Sequence, residues 1–105
     1  MTMNKPTCKI KLEKDYESFK MFYDENIILI YKSVINLFEL FKNKRKKVIK
    51  LSVDAKIDGL NWGTDFVYRR TDINILTRDL LPYFEHIEDY ETCVQIRDLY
   101  KELNN

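Results

Sequence analysis

From Val48 to Asp58 the chain alternates without interruption, with Ile49, Leu51, Val53, Ala55 and Ile57 set against Lys50, Ser52, Asp54, Lys56 and Asp58. Successive side chains of a strand point to opposite faces, so this segment reads as a strand with one dry face and one wet face. Such a strand needs neighbours along its edges and an apolar cover over its dry side. The rest of the chain is therefore read for those two things.

The neighbour comes early. Cys8, Ile10 and Leu12 alternate with Lys9, Lys11 and Glu13, which predicts a short first strand. The cover lies between the two strands. Tyr16, Phe19, Tyr23, Ile27, Ile30, Val34, Leu37 and Phe41 recur at steps of three and four, the spacing of one helical face, and predict a helix over about 15–43 with Asp15 as its cap. A second row, Ile28, Tyr31, Ile35 and Phe38, widens the stripe, either to cover the sheet or to dock a partner or a second copy. Asp24-Glu25-Asn26 marks a candidate kink. A helix of this length can serve as the crossover between two parallel strands.

Beyond the central strand, Asp58-Gly59 is a turn signal and Gly63 permits a second reversal. The reading for 60–72 is a loop holding a short edge strand, Phe66 to Arg69. A helix then starts at Asp72 or Asn74 and is interrupted at Pro82, which lacks an amide hydrogen. The chain reverses at Glu88-Asp89, with Asp89 capping a last helix from Tyr90 to Leu103. The expected fold is α+β: one domain over 1–105, a small two- or three-stranded sheet covered by one long helix, and a C-terminal helical hairpin.

The segment Glu88-Asp89-Tyr90-Glu91-Thr92-Cys93-Val94-Gln95-Ile96-Arg97-Asp98-Leu99-Tyr100-Lys101-Glu102-Leu103 resembles the UVR motif, within a hairpin of about 79–103. The resemblance implies a short antiparallel helical hairpin that serves protein interaction rather than catalysis, with Arg97 and Asp98 turned toward solvent or a partner. Cys93-Val94 stands where the motif has two alanines, Tyr100 replaces an aliphatic residue, and Pro82 interrupts the preceding helix. Tyr90, Cys93, Ile96, Leu99 and Leu103 are the expected buried stripe.

Composition narrows the function. Lys+Arg 18 against Asp+Glu 17 leaves no global positive field of the kind that coats nucleic acid. Any such contact is local, and the candidate is the basic run Lys42, Lys44, Arg45, Lys46 and Lys47, joined by Arg69 and Arg70. The same run also reads as cations at the end of a helix dipole. Cys8 and Cys93 lie outside any metal-ligand spacing and read as buried thiols of a reducing cytoplasm. The polar start, Met1 to Pro6, reads as no signal peptide, and the apolar run Ile27 to Tyr31 is too short for a membrane span. With His86 the single histidine and no phosphate-loop glycine spacing, neither an enzyme nor a cofactor is expected.

Trp62, Tyr68, Arg69 and Arg70 carry the residue types that dominate binding hot spots, and with Arg97 and Asp98 they are the expected partner-binding residues. The reading that follows is a small cytoplasmic regulator or inhibitor that docks on a larger protein or ribonucleoprotein. The Lys-, Ile- and Asn-rich, alanine-poor composition suits a low-GC bacterium or its phage, so a phage inhibitor of a host enzyme or defence complex, such as an anti-CRISPR protein, fits equally. A nucleic-acid accessory protein and a self-associating structural subunit are the alternatives.

Overall fold

The structure, a computed structural model, describes residues 7–104; Met1 to Pro6, read above as a polar start, and Asn105 lie outside the described residues. Strand β1 (Thr7–Tyr16) leads into helix α1 (Phe19–Phe38), which continues as one 3₁₀ turn, Glu39–Lys42. Strands β2 (Val48–Ile57) and β3 (Leu60–Arg69) follow, then helices α2 (Leu81–His86) and α3 (Tyr90–Leu103). The sheet order is β1-β2-β3, with β1 parallel and β3 antiparallel to the central strand. The expected α+β architecture is therefore what the chain forms, with α1 as the parallel crossover and a C-terminal helical hairpin.

Ile49, Leu51 and Val53 are fully buried at the centre of the core. Ile10 and Tyr16 join them from β1, even though β1 advances from Lys11 to Asp15 while β2 advances only from Asp54 to Lys56. Two extra residues bulge out there, and because two is the period of a strand the inward face is preserved across the irregularity.

Four expectations need correction. First, β1 continues through Tyr16, so the helix begins at Phe19 and its cap is Ser18, whose Oγ accepts from the Met21 amide at 3.2 Å. Asp15 instead accepts from the Gly59 amide at 3.1 Å and ties β1 to the hairpin turn. Second, the row of α1 that meets the sheet is Phe22, Asn26, Ile30 and Val34, not Phe19 and Tyr23, and α1 runs unbroken through 24–26. Asn26 is accommodated there because its Nδ2 donates to the Phe22 carbonyl at 2.8 Å.

Third, the segment after Gly59 is a ten-residue strand rather than a loop with a short strand. Asp58 and Gly59 both adopt positive φ (52° and 76°) and close a two-residue hairpin that pairs Ile57 with Leu60. Gly63 is no second turn. It lies opposite Asp54, and a Cβ there would stand 2.7 Å from the Asp54 carboxylate, so glycine makes room for that side chain. Fourth, Tyr90 is 64% exposed, and Thr92 takes its place in the buried stripe with Cys93, Ile96 and Leu99.

The C-terminal half is shaped by local chemistry. The turns before Pro82 widen into a π-helical stretch, Leu76–Leu80, which accommodates a ring that can neither donate nor fit a regular turn. At the other end of α2, Glu88 adopts φ 60°, the Glu88 amide reaches the Glu85 carbonyl, and the Asp89 amide reaches that of Phe84 at 2.9 Å. This paired arrangement stops α2. Asp89 then caps α3, accepting from the Thr92 amide at 3.2 Å and the Thr92 hydroxyl at 2.7 Å. These two bonds, assisted by Lys32, hold its carboxyl below the usual range.

Candidate docking edge

The sheet has two edges that differ in kind. β1 carries Lys9, Lys11 and Lys14 and is interrupted by the bulge, features that discourage a further strand from pairing. β3 runs ten residues with no lysine, no proline and no bulge. In a hairpin closed by two residues the pair next to the turn is hydrogen-bonded, so the even-numbered residues of β3 bond back to β2 and the odd-numbered ones turn amide and carbonyl outward. Arg69 shows this phase directly, its amide donating to the Asp72 carboxylate at 2.7 Å beyond the sheet.

The even-numbered side chains, Leu60, Trp62, Thr64, Phe66 and Tyr68, share the face that carries α1. Trp62 stands edge-on to Phe19 and Phe22, with ring centroids 5.0 and 5.2 Å away. Tyr68 rests on Phe38 at 5.4 Å. Beside them opens a groove of about 430 Å³ whose walls include Tyr23 and Tyr31 of α1, Phe66 and Tyr68 of β3, and Ile75 and Arg78 of the helical stretch beyond. A second cavity of about 420 Å³ shares Tyr68, Ile75, Arg78 and Asp79 and continues along Val67.

The groove is electrically quiet. Burial raises the Tyr31 and Tyr68 phenols above their ordinary value, so both stay neutral, with Asp79 and the neighbouring tyrosines adding to the effect. Asp79 is paired with Arg78 at 2.9 Å, which holds its carboxyl low. Aromatic faces, phenolic hydroxyls and a rim arginine suit a protein side chain laid into the groove, with an extended backbone pairing alongside it.

Of the residues expected to bind a partner, Trp62 and Tyr68 lie on this edge, and Arg69 stands exposed at its end. Arg70 is turned elsewhere: its Nη2 donates to the carbonyls of Asn43 and Lys46 at 3.0 and 3.1 Å, and its guanidinium lies 5.2 Å from the Phe41 ring centroid. Arg97 pairs with Glu85 of α2 at 2.8 Å, and Asp98 is exposed on α3. Cys93, Ile96 and Leu99 of the UVR-like segment are consumed in this domain's own core, whereas Cys8, expected to be buried as well, is half-buried at the start of β1. In the basic run, Lys42 pairs with Glu39 at 2.7 Å and Glu102 at 3.5 Å, Lys46 is half-buried, and Lys44, Arg45 and Lys47 are exposed with no ion pair among the described residues.

Tyr23, Tyr31, Phe66, Ile75, Arg78 and Asp79 were not legible as site residues. The one available signal was the second helix row, which contained Tyr31. Among the described residues no group of three His, Cys, Asp or Glu side chains is placed to hold a metal ion, and no helix is long and apolar enough to cross a membrane. No family model, curated protein or solved structure matches the chain.

Proposed function

We propose that this protein is a small regulator or inhibitor that acts by docking on a larger protein through the β3 edge and its aromatic groove. The observation that carries the reading is the coincidence of two incomplete surfaces: an unprotected strand edge and, along it, a neutral groove walled by Tyr23, Tyr31, Phe66 and Tyr68. Tyrosine gives a large contact area at small entropic cost, and tyrosine and arginine are enriched in interface hot spots. A phage-encoded inhibitor of a host complex and a bacterial adaptor are both served by such a surface.

The test is capture from a bacterial lysate, run in parallel on wild type, Tyr23→Ala with Arg78→Ala, and Arg97→Ala with Asp98→Ala, each with a thermal melt. The first pair is expected to lose the partner while remaining folded, its melt lowered by no more than the about 1–2 kcal/mol that truncating the half-exposed Tyr23 costs, and the second to retain it. Loss of the partner from the α3 pair alone would move the site to the UVR-like hairpin.

A second reading, local nucleic-acid binding, is favoured by Lys44, Arg45 and Lys47, exposed cations that make no ion pair among the described residues. Replacing all three with alanine should flatten the salt dependence of any binding, because each phosphate contact releases counterions. An absence of RNA and DNA binding at low salt would remove this reading.

A further inference from the structure

We infer that the β3 edge pairs with the β3 edge of a second copy of this chain, forming a two-fold dimer with a continuous six-stranded sheet. The purified protein alone decides this, whatever larger partner it meets.

The strand specifies its own register. A two-fold axis perpendicular to the sheet pairs residue i of one copy with residue j of the other, and both must lie on the same face, so i and j share parity. For Leu60–Arg69, two registers of that kind give the fullest overlap, one centred on Thr64 and one on Asp65. The second sets Asp65 against its own copy, and like charges directly opposite are unfavourable. Centring on Thr64 places Trp62 against Phe66, Gly63 against Asp65, Asn61 against Val67 and Leu60 against Tyr68, with no like-charge pair.

That register also supplies what each monomer leaves unused. Leu60, 72% exposed, is the most exposed large apolar side chain among the described residues, and pairing with Tyr68 brings it to the mouth of the groove of the other copy. The two cavities flanking Phe66 to Tyr68 leave space for an incoming hairpin tip. Arg69 arrives opposite the Asp58-Gly59 turn of the other copy. Neither Arg69 nor Asp58 makes an ion pair within the described residues, and the dimer brings these opposite charges together twice. β1, with its lysines and bulge, offers no equivalent edge. A partner protein entering the same groove would have to displace the second copy.

Thr64, lying on the axis, gives the sharpest test. As an even-numbered residue it forms a pair without hydrogen bonds across the new junction, where Cα atoms stand about 4.5 Å apart, within disulfide range. In a Cys8→Ser background, Thr64→Cys should cross-link into a covalent dimer under mild oxidation, and Val67→Cys, which faces Asn61 rather than its own copy, should do so far less. Sedimentation of the unmodified protein should show concentration-dependent dimers, and Leu60→Asp should raise their dissociation constant at least about tenfold while leaving the melt of the dilute, monomeric protein unchanged. A protein monomeric at every concentration would overturn the inference, as would a dimer indifferent to Leu60→Asp. Efficient cross-linking through Val67→Cys instead of Thr64→Cys would overturn the register.

Discussion

Replacing Phe22 with alanine probes the packing on which the docking edge stands. Phe22 is 1% exposed and meets Tyr16 at 5.5 Å and Trp62 at 5.2 Å between ring centroids. Removing a buried phenylalanine leaves both a lost transfer energy and a cavity, together about 3–5 kcal/mol. For a domain of this size each kcal/mol is worth roughly 4–8 °C, so the melting temperature should fall by at least about 12 °C. Phe19 and Tyr23 flank it on the same helix but are 46% and 44% exposed. Each has about half of its surface already in water, and truncating either should cost about 1–2 kcal/mol. Thermal and urea unfolding of the three variants, read by circular dichroism, give the comparison. Equal losses, or a smaller one for Phe22→Ala, would refute the assignment of the Phe22–Asn26–Ile30–Val34 row to the sheet.

Three further outcomes follow from the capping chemistry. Ser18→Ala should destabilise by about 1 kcal/mol in urea unfolding, because the Met21 amide loses its acceptor. Glu88→Gly should raise stability by about 1 kcal/mol, since glycine adopts φ 60° without the Cβ clash that glutamate meets there. Asp89 has its folded carboxyl held below the unfolded value of 3.8, so its contribution is present above that pH and is lost as pH falls through the folded value. Asp89→Asn retains a capping side chain, and its stability should match wild type more closely below pH 3.8 than at neutral pH.

The central strand, its hairpin turn and the C-terminal turn were legible because their signals are local. The β2 alternation, the Asp58-Gly59 turn and the Asp89 cap each depend on a few neighbouring residues. Tyr16 was ambiguous for a physical reason: two bulged residues keep it in phase with Ile10 on the strand, while its spacing to Phe19 also fits a helix. Gly63 read as a turn because its cause is nonlocal, the Asp54 carboxylate on the adjacent strand. β3 does alternate through Leu60, Trp62, Thr64, Phe66 and Tyr68, but that pattern was hidden by reading its glycine as a break. The groove was less legible still, since Tyr23, Phe66 and Arg78 lie on three elements that only the tertiary fold brings together. The basic run and Arg70 looked like one charged surface. The fold turns Arg70 inward to hold the carbonyls of the 43–46 turn, which no spacing rule shows.

Amide hydrogen exchange, measured on protein diluted to its monomeric state with and without the captured partner, tests the docking edge most directly. The odd-numbered amides Asn61, Gly63, Asp65 and Val67, which face away from β2, should exchange fast in the free monomer and slow by at least about tenfold in the complex. The even-numbered amides of β3, already bonded to β2, should change little by comparison. Protection confined to α3 or to residues 42–47, with the odd-numbered amides of β3 still fast, would contradict the account.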